Sequence, residues 1–422
     1  MNRTARDKNE FRPRPVQRLE LDEHVSRKKL WIFAIAFAVA IAAFWYGFTQ
    51  LTKQSSGWRE IEAKRVSDGI SCSADFVFYY DLGRGDLSAT EEYKRIADLY
   101  TDCALHAYKA FSANEAFEGI NNLWYLNHHP NETVEVDGLL YGALEKAVRS
   151  GGRYIYLAPV YTQYHTLFNC GDISETVNYD PYVNPEIAAY FGKICGYITD
   201  ESAIGIQLLG SGKVRLNVSD DYLAYCKAEQ IDTFVDFYWM RNAFIIDYFA
   251  ESLQEAGFIH GYISSYDGLV RNLDEGGQEF TLNICAQVDR VTYAAAALTY
   301  PGGRNFVYLR DFQIDAAHDR CYFNMGDGEF RTAYIDPADG LCKSSADSLI
   351  LYSDTEGCAD MLLSALPVYI SDGAMEGPAG DTAAFSLWTA GDSILYNDPG
   401  ISFSEVRSYE EKGVRFKTVF TG

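Results

Sequence analysis

Two oxygen-bearing side chains stand four residues apart in the apolar run GCADMLLSALPVYI: Asp360 and Ser364. Four residues is about one helical turn, so both would lie on one helix face. A carboxylate beside a hydroxyl is half of a site for a hard, oxygen-seeking cation. The alternative is that Asp360 caps or solvates a helix end. Upstream, Asp336 and Pro337 precede Gly340 in a common turn pattern. Further back, VDFYWMRNAFIIDYFAESLQEA carries Asp236 and Asp247 on either side of Arg241. Its aromatic FYWM stretch reads as core or interface before it reads as a cofactor box.

Other chemistries leave no trace in the sequence. There is no G-x-S-x-G, no Walker loop and no S-x-x-K with supporting motifs. The seven His are scattered with no H-x-x-x-H, and His128-His129 falls in a polar loop before a proline. The nine Cys are widely spread without a C-x-x-C, which argues against zinc. Their number is odd, so at least one stays unpaired or pairs between chains. The formal charge of −23 is that of a surface that repels nucleic acid and anionic lipid.

These residues need elements to hold them. Residues 89–110 repeat apolar side chains at three- and four-residue steps, as a helix would. A second amphipathic helix is expected from Gly138 to Arg149, ending at Gly151-Gly152. Others are expected near Pro185–Tyr197, over Phe234–Ala256 and through GCADMLLSALPVYI. CSADFVFYYDL, IHGYISSY, EFTLNICA and NFVYLRDFQI read as strands, with turns at GSGK and MGDGEF. Helices interleaved with antiparallel-looking strands predict an α/β (α+β) domain.

Residues 30–51 carry no charge. Their roughly 33 Å of helix would cross a hydrocarbon core of about 30 Å. A cleaved signal peptide fits less well, because the run is long and no A-x-A site follows. Residues 1–29 hold nine Lys/Arg against five Asp/Glu, which places this tail in the cytoplasm and the rest outside. The expected organisation is a basic tail (1–29), a transmembrane helix (30–51), a juxtamembrane spacer (52–69), an extracytoplasmic domain (70–403) and a C-terminal tail (404–422). The chain would be a single-pass protein of the cell membrane, in contact with lipid through residues 30–51.

Over roughly residues 70–403 the segments resemble, in order, the FAD:protein FMN transferase (ApbE) family. Those are exported enzymes that use magnesium to move FMN from FAD onto a Thr or Ser of a partner protein. FSANEAFEGIN resembles the family's F-x-x-x-S-x-[LI]-S-x-[LI]-N, matching at Phe111, Phe117, Ile120 and Asn121. VEVDGLLYGALEKAVRSGG resembles its V-x-V, helix, S/T-G-G segment. VDFYWMRNAFIIDYFAESLQEAG resembles D-L-G-G-I-A-K-G-Y-A-V-D-x-x-A-x-x-L-x-x-x-G, FRTAYIDPADG resembles H-I-I-D-P-x-T-G, and GCADMLLSAL resembles A-D-A-L-S-T-A.

The resemblance implies an ApbE-like fold, FAD and Mg2+ as cofactors, and a flavinylated or redox envelope protein as partner. It places Asp360 and Ser364 on the metal, Asp336 among the reacting groups, and Asn121, Asp236, Asn242 and Asp267 at the nucleotide. The departures are equally specific. Tyr238 and Trp239 stand where the family has two glycines, and Arg241 where an alanine carbonyl helps bind magnesium. Asn242-Ala243 replaces Lys-Gly, and Ala333 replaces the His. SSYDG replaces a Gly-Gly-Asp strand end, and YIYLAP keeps little of F-D-P-T-V-G-P. Arg241 would then supply a cation in place of the missing Lys or of the magnesium itself. The expectation is weak or lost FMN transfer, or an inactive ApbE-fold binding or scaffold module. An exported domain unrelated to flavin is a third reading. A cleft open to Asp360, with Asp336 across it, would favour an enzyme; Trp239 and Arg241 filling that cleft would count against one.

Overall fold

The computed structural model describes residues 35–41, 54–64, 70–169, 175, 178–274, 278–314, 321–325, 330–378 and 384–422. The chain divides into two compact units, Met1–Gln54 and Ser55–Gly422. In the first, residues 35–41 are helical and exposed, and the rest of the expected 30–51 span lies outside the described residues. No helix among the described residues is long and apolar enough to cross a membrane.

The second unit is built on a nine-stranded sheet whose strands adjoin in chain order. They are β1 (Gly57–Glu60), β2 (Phe76–Leu82), β3 (Gly261–Ser265), β4 (Leu269–Asn272), β5 (Asn305–Arg310), β6 (Ser348–Ser353), β7 (Phe385–Ala390), β8 (Ser393–Tyr396) and β9 (Lys417–Phe420). Every neighbouring pair is antiparallel except the last, where β9 runs parallel to β8. The central strands are apolar on both faces because both are covered. Val307, Leu309, Leu349 and Leu351 face one core, and Phe306, Tyr308, Ile350 and Tyr352 face another.

The first core is closed by helices: α1 (Ala89–Phe111), α2 (Gly138–Arg149), α3 (Pro185–Thr199), α4 (Arg241–Glu255) and α5 (Cys358–Tyr369). The second is closed by a smaller sheet, in which Val291–Pro301 lies between Phe403–Val406 and Glu279–Val288. Local signals start the helices. Ser88 caps α1 by accepting from Glu91 N, and Asp137 caps α2 by accepting from Leu139 N. Helix α5 is capped from a distance: the Asp247 carboxylate of α4 accepts from Cys358 N at 2.8 Å and Ala359 N at 2.9 Å. A Cβ on Gly357 would lie 2.5 Å from that carboxylate, so this approach requires glycine.

The domain extends beyond 70–403 at both ends. Within the expected spacer, Gly57–Glu60 pairs with β2, and Trp58 packs on Tyr262 and Phe280. Within the expected C-terminal tail, Lys417–Phe420 completes the sheet. Short edge strands with polar outer faces carry too little alternation to stand out from a linker. The helix expected over Phe234–Ala256 begins only at Arg241. Before it, Asn127 Oδ1 takes the amide hydrogens of Phe234 and Val235, which holds that stretch out of the helix.

Candidate functional site

Where α4 begins, the chain encloses a cavity of about 310 Å³. Asp75 reaches it from the turn before β2, and Tyr266 and Asp267 from the β3–β4 turn. Arg241 and Asn242 come from the first turn of α4, Tyr238 and Trp239 from the 3-10 turn before it, and Cys321 and Tyr322 from a short hairpin. Phe168 completes the lining among the described residues.

The β3–β4 turn is fixed by close approach. Gly268 has φ +89°, its carbonyl accepts from Tyr308 N at 2.9 Å, and a Cβ there would lie 2.4 Å from Tyr308 O. Asp267, one residue earlier, is thereby set against Asn242, whose Nδ2 donates to Asp267 Oδ2 at 2.5 Å. Asn242 is 6% exposed, and its Oδ1 is buried without a hydrogen-bond partner. Arg241 Nη2 lies 3.6 Å from Asp75 Oδ2.

The aromatic wall has its own frame. Tyr238 adopts φ +44°, a left-handed conformation that favours glycine. It is held there by its amide, which donates to Asp236 Oδ1 at 3.0 Å, and by stacking of its ring on Tyr161, 4.4 Å between centroids. Thus a glycine-like backbone persists at one of the positions where the resemblance puts glycine, with a large side chain added. Trp239 donates its indole N–H to Tyr161 Oη at 3.1 Å and meets Tyr334 edge-on at 4.9 Å. Tyr161 donates to Ala333 O at 3.2 Å, so the residue at the missing His position still anchors the wall through its backbone. Burial raises the carboxyl pKa of Asp236, opposed by the Tyr238 amide and the Arg241 charge.

The structure therefore brings together Arg241, Asn242 and Asp267, with Asp236 supporting the turn beside them. Asp236 does not itself line the cavity, and four further expected site residues lie away from it. Asp360 turns outward and pairs with Lys146 of α2 at 2.7 Å. Ser364 Oγ donates to Met361 O within its own helix at 2.8 Å. Asp336 closes its turn, accepting from Ala338 N, and pairs with Lys343 at 2.8 Å. The same ammonium also meets Asp339 and Asp372, so Asp336 belongs to a structural ion cluster. Asn121 donates to Glu135 O and ties a loop to a strand.

The expected magnesium donors are engaged with other partners in this structure. An ammonium occupies the carboxylate, and the serine proton is committed to a carbonyl. Among the described residues no group of three or more His, Cys, Asp or Glu is placed to hold a metal ion. Trp239 and Arg241 form part of the cavity wall, and Asp360 is not among its lining residues. Asp75, Tyr266, Tyr322, Cys321 and Phe168 were not expected from the sequence. Only Asp75 had a faint signal, as an acid immediately before an alternating strand.

No protein-family model matches the chain, and no curated protein matches it. Among solved structures, the chain is similar to the ApbE protein of Thermotoga maritima, with 13% identity over 85% of this chain and 100% of that one, TM-score 0.47. It is similar to the flavin transferase ApbE of Vibrio cholerae, with 12% identity over 79% and 94%, TM-score 0.48. It is also similar to the apo form of the flavinyl transferase ApbE of Pseudomonas stutzeri, with 9% identity over 80% and 92%, TM-score 0.46.

Proposed function

We propose that the chain is an ApbE-like, flavin-binding protein of the cell envelope, anchored through residues 30–51, in which metal-dependent FMN transfer is weak or lost. The observation that carries this reading is the meeting of Arg241 and Asn242 with Asp267. Two separate segments singled out by their sequence resemblance converge on one aromatic-walled cavity. The engagement of Asp360 by Lys146, and of Ser364 by its own helix, supports the loss of transfer chemistry.

The cavity suits one planar ring system. About 310 Å³ is at the small end of sites for small ligands, roughly 300–1,000 Å³. Tyr238, Trp239 and Tyr322 offer aromatic surface to such a ring. The chain's residues would bind and orient the ring. The same packing of Tyr161, Tyr238, Trp239 and Tyr334 favours, as a second reading, a scaffold module whose partner is a flavinylated or redox envelope protein.

The test uses the full chain in detergent, mixed with FAD, magnesium and an acceptor domain carrying a flavinylation Thr. The expected result is quenching of flavin fluorescence on binding, unresponsive to magnesium, with no covalently fluorescent acceptor on a denaturing gel. A covalent band that disappears in Asp360→Ala would overturn the loss of transfer. Failure of any flavin to bind would overturn the flavin reading.

A further inference from the structure

A second cavity, of about 340 Å³, lies between α1, α2, α4 and α5 and shares no lining residue with the first. Its lining residues fall well inside the described stretches 70–169, 178–274 and 330–378. It borders α2 from Gly138 to Lys146, about 12 Å of helical rise. The floor is apolar and includes Leu139, Ala143, Phe244 and Ala359. Two glycines keep it open: a Cβ at Gly138 or Gly142 would meet nothing within 4 Å outside its own helix.

The polar groups around this floor are committed, with one exception. His106 uses both ring nitrogens, each at 2.9 Å, on Asp137 Oδ2 and Tyr248 Oη. Lys146 pairs with Asp360, while Asp247 holds Arg271 and the first amides of α5. Each of these cations thus has a carboxylate of its own. Glu251 is the exception: it lines the cavity, is exposed, and makes no hydrogen bond or ion pair with the described residues. Partial burial raises the pKa of its carboxyl, and the charge of Asp247, one turn earlier on α4, adds to this. An apolar floor beside a carboxylate that lacks a counter-ion is complementary to an apolar body carrying a cation.

We infer that this cavity binds a small organic cation, a primary ammonium on an aryl or alkyl body. The ammonium meets Glu251 and the body lies on the floor beside Gly142. The volume is at the small end of ligand sites, roughly 300–1,000 Å³, which suits a free small molecule rather than a helix of a partner.

The experiment titrates the full chain in lipid nanodiscs with 2-phenylethylammonium, 2-phenylethanol and 3-phenylpropanoate, read by ligand-observed NMR with empty nanodiscs as the blank. The three probes share one body and differ in charge. The ammonium is expected to bind at least about tenfold more tightly than the alcohol, and the carboxylate more weakly than either. Glu251→Gln should bring the ammonium down to the level of the alcohol. Gly142→Leu puts a side chain into the cavity and should abolish binding of both, with no fall in melting temperature, because Leu is a better helix former than Gly. Ammonium binding that is absent, no tighter than that of the alcohol, or unchanged by Glu251→Gln would overturn the inference. So would binding that survives Gly142→Leu. A dimer of the full chain that Gly142→Leu dissociates would assign the cavity to a second copy, and would overturn it as well.

Discussion

Tyr161 stands behind the aromatic wall and joins it three ways: under the Tyr238 ring, at the Trp239 indole and at the Ala333 carbonyl. Tyr161→Phe keeps the volume and removes both hydrogen bonds. The expected cost is about 0.5–1.5 kcal/mol, because the half-buried Trp239 indole N–H loses its acceptor while the Ala333 carbonyl still accepts from Ile335 N. Flavin affinity should fall with it, which chemical denaturation and fluorescence titration together would show. Asp360→Ala is expected to change stability by no more than about 0.5 kcal/mol, since its exposed pair with Lys146 is worth little. A larger loss would show that Asp360 does more than pair at the surface. These two residues also show what the sequence could disclose. The four-residue step placed Asp360 and Ser364 on one helix, but spacing cannot say which face turns to the cavity. That face is set by the helix's apolar side chains, which bury Met361, Leu362, Ala365 and Leu366 and leave Asp360 outside to meet Lys146.

Helix α5 depends on α4 for its first turn. Asp247 takes two of its amide hydrogens and pairs with Arg271 at 3.1 Å, all at buried positions. Asp247→Ala leaves the guanidinium without its counter-charge and two amides without acceptors. About 3–5 kcal/mol of stability should be lost, measured by urea unfolding. Burial raises the Asp247 pKa, with the Arg271 charge and the α5 amides opposing it. The helices themselves were legible, because α1, α2 and α5 repeat apolar residues at helical steps over three turns or more. The start of α4 was not legible. Its apolar pattern continues backward through Phe237 and Val235, and only the amide side chain of Asn127 interrupts it. The cavity turn carrying Asp75 showed only an acid beside an alternating strand, since a carboxylate in a turn has no periodicity to report.

At the scale of the molecule, one buried acid should set a pH dependence. Burial pushes the Asp311 carboxyl up to about 7, and Ser344 Oγ, donating at 2.7 Å, opposes this. The unfolded carboxyl titrates near about 3.9. Between about pH 4 and pH 7 the folded chain holds a proton that the unfolded chain releases, so stability falls as pH rises through that window. Asp311→Asn should flatten this slope and add about 1–3 kcal/mol at pH 7.5. Thermal unfolding across the range checks both; an unchanged slope in the variant would assign the dependence to another group. Which strands form the sheet was only partly readable: the buried central strands announce themselves, while both outermost ones resemble linkers.

The parallel seating of β9 on β8 has a consequence for biogenesis. Ser393–Tyr396 can acquire its outer neighbour only after residues 417–420 have emerged from the ribosome. Until then the sheet has a bare rim, its main-chain donors and acceptors open to any passing strand. A variant stopped after residue 416 keeps the cavity residues and the second core's Val414 and Phe416, and loses the seal. It should fold around the same site, yet self-associate on gel filtration, whereas the same truncation carrying Tyr396→Pro, which removes an amide facing the rim, should stay dispersed.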